Sequence, residues 1–146
     1  MQTAMKIERS IVIKADQARV WKALTTPTEI AKWFQVFNFD QLKAGQRIHT
    51  SWEPNDAVDF NETFGEITLV EPISRFGFSW QVALPDPTST FVIFDLETTA
   101  DGTRVTVTET GWEALPADQR EKRFNDNSGG WAEMIQSLAR YVEGQA

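Results

Sequence analysis

The sequence predicts an α+β fold: a curved antiparallel sheet of about six strands gripping one long C-terminal helix, with two short helices after the first strand. Three observations carry this expectation. Segments with two-residue alternation fill most of the chain between Gln46 and Thr108. After Pro116 the apolar spacing changes to three and four and keeps that period to Val142. Two short helical patterns, each with its own start signal, stand between the first strand and the others.

Ile7 to Lys14 reads as a strand, with Ile7, Arg9, Ile11 and Ile13 on one face and Val12 on the other. Asp16 is placed to cap a helix carrying Val20, Trp21 and Leu24. Thr26 caps a second helix, Pro27 suits its first position, and Glu29 completes a capping box. Its apolar residues are Ile30, Trp33 and Phe34. Gly45 marks a turn into a strand from Gln46 to Trp52, with Ile48 and Trp52 on one face; Glu53 to Asn61 is a polar, acidic loop. Thr63 to Val70 is strand-like with an ambiguous register, which a bulge near Gly65 would resolve. Glu71-Pro72-Ile73-Ser74 is a turn.

Phe76, Phe78, Trp80 and Val82 then alternate with Gly77, Ser79 and Gln81. Leu84 to Thr90 carries two prolines and reads as a loop. Val92, Phe94 and Leu96 alternate with Ile93, Asp95 and Glu97, and Ala100-Asp101-Gly102 is a hairpin signal. Val105 and Val107 alternate with Arg104, Thr106 and Thr108. The final helix, from Asp118 to Glu143, would be about 39 Å long at ~1.5 Å per residue, enough to cross a sheet. A strongly twisted sheet curls around such a helix. With no internal repeat, linker or low-complexity tract, residues 1–146 read as a single domain.

A chain of 146 residues is long enough for one good core. The net charge of −7, without a Lys/Arg stripe, argues against nucleic acid and against anionic membrane surfaces. The absence of cysteine excludes disulfides, thiol catalysis and cysteine-based metal sites. Met1 to Lys6 has no apolar core of a leader peptide, and no stretch approaches membrane-spanning length, so a cytoplasmic protein is expected. No G-x-S-x-G, H-E-x-x-H, Walker or dinucleotide-binding motif is present.

Asn127-Ser128-Gly129-Gly130 is unusual inside a helix, because two glycines cost roughly 2 kcal/mol relative to alanine. Either the missing side chains leave room for a ligand or a bend, or they let the helix approach a bulky wall such as Trp80. Trp131 beside them should point inward. Trp33 and Phe34, at the end of the second short helix, either gate a pocket or pin that helix to the core. His49, the one histidine, reads as a surface residue with no ligand partners nearby in sequence. Asp95 faces outward if Val92, Phe94 and Leu96 face inward.

The opening Ile7-Glu8-Arg9-Ser10-Ile11-Val12-Ile13-Lys14-Ala15, followed by Val20-Trp21-Lys22-Ala23-Leu24-Thr25, resembles that of the helix-grip (START-like) superfamily. Within it, the element Pro27…Trp33-Phe34 is similar to single-domain relatives of the C-terminal domain of the activator of the ninety-kilodalton heat-shock protein ATPase. Phe78-Ser79-Trp80, the run from Gly102 to Trp112, and Asn127…Gly130-Trp131 resemble the same family. The resemblance implies a hydrophobic cavity between the sheet and the C-terminal helix. Superfamily relatives bind lipids, sterols, polyketides or plant hormones there, and a few are enzymes.

The resulting expectation is a domain that binds an apolar or aromatic small molecule, lined by Trp33, Phe34, Trp52, Phe78, Trp80 and Trp131, with Asn127 as a polar contact. Loops 53–61 and 84–90 would gate entry. No catalytic residue, metal ligand or cofactor is assigned. The alternatives are a chaperone-associated interaction module and an enzyme acting on an apolar substrate, such as a cyclase, dehydratase or hydrolase.

Overall fold

The computed structural model describes residues 6–34, 39, 41–49, 63–81 and 89–144. In chain order the elements are β1 (Ile7–Ile13), α1 (Gln17–Thr25), α2 (Pro27–Trp33), β2 (Arg47–His49), β3 (Thr63–Glu71), β4 (Arg75–Gln81), β5 (Ser89–Thr99), β6 (Gly102–Thr110) and α3 (Ala117–Glu143). The strands form one six-stranded antiparallel sheet in the order β1-β6-β5-β4-β3-β2. It is a meander from β2 to β6, closed by β1, which pairs with β6 from Ile7 opposite Glu109 to Ile13 opposite Thr103. This is the α+β helix-grip architecture the residue pattern predicts.

The strands form where apolar and polar residues alternate, and they bury the predicted face. Phe76 and Phe78 of β4, Val92, Phe94 and Leu96 of β5, and Val105 and Val107 of β6 are all buried. Above them lie Val20 and Leu24 of α1, Ile30 of α2, and Trp131, Ile135, Leu138 and Val142 of α3. The 27 residues of α3 span about 40 Å. The helix runs alongside β1 in the same direction: the Arg9 guanidinium donates to Ser128 Oγ near one end, and the Lys14 N–H donates to Glu143 Oε2 at 3.0 Å near the other.

The ambiguous register of β3 resolves into two bulges. Ile48 lies opposite Gly65 while His49 lies opposite Thr63, which makes Phe64 an extra residue. Ile67 lies opposite Phe78 while Leu69 lies opposite Gly77, which makes Thr68 another. Bulges increase local twist, and so help to bend this end of the sheet. Gly65 is required there, since a Cβ would come 1.9 Å from the Ser79 carbonyl oxygen.

The short helices depart from expectation in one respect. Asp16 caps α1 as predicted, accepting from the Arg19 N–H at 2.7 Å. Thr26 makes no side-chain cap bond to α2, so the capping box does not form. Glu29 turns instead to Arg19 at 2.8 Å and to the Tyr141 hydroxyl at 2.9 Å, with Lys22 at 3.9 Å. A tertiary ion pair joining α1, α2 and α3 outcompetes the local bond, because both of its partners are partly withdrawn from water.

The predicted loop 84–90 is shortened, because Ser89 and Thr90 already belong to β5. The remainder of that segment, Val82, Trp52 and the loop 53–61 lie outside the described residues, as does the side chain of His49. Asp95 sits on the outer face as alternation predicts, with a half-exposed side chain 4.0 Å from Arg75. Among the described residues, no helix is long and apolar enough to cross a membrane.

Candidate functional site

A pocket of about 220 Å³ opens where the end of α2, strand β4 and helix α3 meet, lined by Phe34, Trp80, Asp126, Asn127, Gly130, Trp131 and Met134. Each wall has a local cause. Phe34 is the C-cap of α2, where the chain leaves the helix. Trp80 continues the inward alternation of Phe76 and Phe78 but, lying near the strand end, stays only partly buried. Asn127, Gly130, Trp131 and Met134 fall three and four apart on α3, on one face of the helix.

The aromatic walls are packed against one another. The ring centroids of Phe34 and Trp80 are 5.9 Å apart. Phe34 meets Trp131 edge-on at 5.9 Å, and Trp131 meets Phe94 edge-on at 5.7 Å. Such contacts contribute about 0.5–1.5 kcal/mol each beyond burial and fix the ring planes.

The Gly129-Gly130 pair does not serve close packing. A Cβ at either glycine would have no atom within 4 Å, so close approach to Trp80 is not what these glycines provide. Gly130 borders the pocket, and its missing side chain is part of the opening.

Of the sequence-predicted lining residues, the structure brings Phe34, Trp80, Asn127 and Trp131 together around this pocket. Trp33 does not line it: its indole N–H donates to the Ala23 carbonyl at 2.8 Å, and its own carbonyl accepts from Ser137 Oγ at 3.2 Å. It pins α2 to α1 and α3. Phe78 does not line it either; it is buried behind Trp80, with ring centroids 5.8 Å apart. Asp126 and Met134 are lining residues that the sequence reading did not name, and Gly130 entered it as a gap in the helix rather than as a lining residue.

The group it missed altogether is Glu109. This side chain on β6 is fully buried. It accepts from the Trp131 indole N–H at 2.6 Å, from Asn127 Nδ2 at 3.3 Å to each oxygen, and has a close hydrogen bond with Thr90. Burial pushes its carboxyl above the usual range, against the opposing effect of bonds from Thr90, Trp131 and Asn127. The proton inventory fits the neutral acid. Thr90 Oγ1 reaches both Glu109 Oε2 and the Trp80 carbonyl, the latter at 3.3 Å, yet a hydroxyl carries only one proton. With Oε2 protonated, Glu109 donates to Thr90, Thr90 donates to Trp80, and Oε1 accepts from Trp131.

Glu109 therefore acts from behind the pocket wall, holding Trp131 and Asn127 in place without lining the pocket itself. A partly buried cluster, Arg19–Glu29–Tyr141, lies among the three helices and lines no part of the pocket. Among the described residues, no group of His, Asp or Glu is arranged to hold a metal.

A sheet wrapped on a long C-terminal helix, with an aromatic pocket at their shared mouth, defines a helix-grip domain. Residues 14–143 match the family model described as Activator of Hsp90 ATPase homolog 1-like protein, and the chain belongs to that family. Solved structures share the fold. The protein MLL2253 from Mesorhizobium loti is 23% identical with a TM-score of 0.77, covering 97% of this chain and 99% of its own. The Aha1 dimer from Colwellia psychrerythraea is 22% identical with a TM-score of 0.68, covering 95% of this chain and 96% of its own. DynU16, from the dynemicin biosynthetic locus, is 24% identical with a TM-score of 0.70; the match covers 94% of this chain but 47% of DynU16. No curated protein is significantly similar in sequence.

Proposed function

We propose that the protein binds an apolar or aromatic small molecule in the pocket between Phe34, Trp80 and α3. The observation that carries this reading is the open space at Gly130 beside three aromatic side chains. A helix interior loses roughly 1 kcal/mol for each such glycine relative to alanine, and here no close packing offsets that loss. The volume of about 220 Å³ exceeds the ~150 Å³ that accepts benzene in an engineered apolar cavity. It is below the ~300 Å³ at which ordinary ligand pockets begin. One or two rings fit, with the rest of the molecule reaching the mouth. The match to a protein of a biosynthetic locus is consistent with a small-molecule ligand.

Two-dimensional NMR of the protein against a library of one- and two-ring compounds tests the proposal. A true ligand shifts the Gly130 amide and the Trp131 indole N–H, and Trp131→Ala weakens it at least tenfold while the domain stays folded. Compounds that bind with unchanged affinity to Trp131→Ala would place the site elsewhere.

The interaction-module alternative has less support. Its signature would be a contiguous apolar surface. Among the described residues the large exposed apolar side chains are Val12, Ile73 and Phe91. Phe91 sits opposite Thr110, whereas Val12 sits opposite Arg104, itself opposite Glu97 on β5. Phe91 and Glu97 are six positions apart along β5, about 20 Å.

A further inference from the structure

We propose that this pocket selects a ligand carrying a hydrogen-bond donor, foremost a protonated amine on an aromatic or apolar skeleton, with Asn127 Oδ1 and the Asp126 carboxylate as its acceptors. The proposal rests on the binding reading above and names the chemical class of the ligand. It follows from how Glu109 orients the pocket's donors and which acceptors are left facing the opening.

Helix α3 offers two side-chain donors at this pocket, the Trp131 indole N–H and the Asn127 amide. The indole N–H donates to Glu109 at 2.6 Å, and Asn127 turns one of its two amide N–H groups to the same carboxyl, 3.3 Å from each oxygen. An indole nitrogen donates only, so nothing of it remains for a ligand. An amide that spends Nδ2 on a buried carboxyl presents its carbonyl oxygen at the opposite corner. The ionised carboxylate would only accept, and the neutral acid already gives its one proton to Thr90. Oε1 accepts in both, and a flipped Asn127 would set oxygen against oxygen. The buried carboxyl thus fixes the amide orientation, and Asn127 Oδ1 has no partner among the described residues. The second polar group in the lining is Asp126, an acceptor with a negative charge.

The remaining walls agree in sign. Phe34, Trp80 and Trp131 present aromatic rings, whose faces attract cations, and Met134 contributes a polarizable thioether. Asp126 is paired with Lys122, 3.2 Å from its Oδ2. That pair is a single i,i+4 contact with both side chains more than half exposed, the kind that water and salt readily break. A ligand ammonium can replace Lys122 at Asp126 while its ring enters among the aromatics. A carboxylate would instead be repelled by Asp126, and an acceptor-only ether would face Asn127 Oδ1 with no proton to offer.

The test uses one skeleton with four head groups: phenethylamine, phenethyl alcohol, phenylacetate and methyl phenethyl ether, titrated into the full chain and followed by NMR at the Gly130 amide and Trp131 indole N–H. The amine should bind tightest, the alcohol next, and the ether and carboxylate weakest. Asp126→Asn should weaken the amine about fivefold, the size of a contact charge pair in water, and leave the alcohol unchanged. Asn127→Leu should erase the preference of alcohol over ether, and added salt should narrow the amine's advantage. If ether or carboxylate binds as tightly as the amine, donor selection is overturned while the pocket reading stands. If no compound moves these signals, the pocket reading fails and this inference with it.

Discussion

Glu109→Gln is the substitution that most directly tests the pocket's foundation. Glutamine copies the neutral acid: one acceptor oxygen for the Trp131 indole, and one donor for Thr90, which keeps its own proton for the Trp80 carbonyl. What it loses is the weak Asn127 contact to the second oxygen, 3.3 Å long, so a cost of about 1 kcal/mol or less is expected where wild type is protonated. The sign of the pH effect follows from the raised carboxyl. In the unfolded chain a glutamate releases its proton near pH ~4.3. In the folded protein Glu109 keeps it to higher pH. Below ~4.3 both states hold the proton and stability is at its full value. As pH rises from there through the folded titration, the unfolded state alone is free to ionise, and stability falls by about 1.4 kcal/mol for each pH unit separating the two titrations. Above the folded titration the loss is constant.

Glu109→Gln removes that fall. Urea unfolding followed by far-ultraviolet circular dichroism, which does not depend on the Trp131 environment, gives both stabilities from pH 4 to 8. The difference, variant minus wild type, should rise with pH from near or slightly below zero. Were the variant instead less stable by a constant 2 kcal/mol or more at every pH, Glu109 would be a well-stabilised anion and the neutral-acid account would be wrong. Glu109→Ala provides the contrast. It leaves the buried Trp131 N–H without an acceptor, at about 1–3 kcal/mol, and should be less stable than Glu109→Gln at every pH.

Three further outcomes follow from the same coordinates. Gly129→Ala and Gly130→Ala should each stabilise α3 by about 1 kcal/mol, since neither new methyl group meets an atom; only Gly130→Ala should weaken a pocket ligand, and equal effects on binding would contradict the assignment. Ile73 adopts φ 70° in the β3–β4 turn, where a β-branched residue is strained by roughly 1–2 kcal/mol, so Ile73→Gly should raise the melting temperature despite glycine's unfolded-state entropy. Glu29 is a carboxyl that burial pushes up but that bonds from Arg19 and Tyr141 and the charges of Arg19 and Lys22 bring below the usual range. Its contribution is therefore present at neutral pH and lost as pH falls through the folded titration, so Glu29→Gln should destabilise at pH 7, and the effect should shrink as pH falls below ~4.3 in the same urea experiment.

The sequence by itself determined the element types and the burial faces, because both follow from spacing along one chain segment. The alternation of Phe76, Phe78 and Trp80, the period from Phe124 to Val142, and the Ala100-Asp101-Gly102 turn each encode their local structure directly. Trp131 was legible as inward for the same reason. Glu109 was also within reach: it lies two residues after Val107, and strand parity puts it on the buried face. The rule that charged residues stay outside hid it, and only the convergence of Trp131, Asn127 and Thr90 from other elements explains its burial. Tertiary structure alone decided the choices that depend on residues distant in sequence. Glu29 leaves its predicted cap because Arg19 and Tyr141 arrive from neighbouring helices. Trp33 goes to the core and Phe34 to the pocket because the chain turns between them at the end of α2. Gly130 opens onto space rather than a wall because no neighbouring element comes within 4 Å of where its Cβ would stand. Spacing fixes which side of an element a residue occupies; what stands opposite it depends on packing between elements that the sequence keeps far apart.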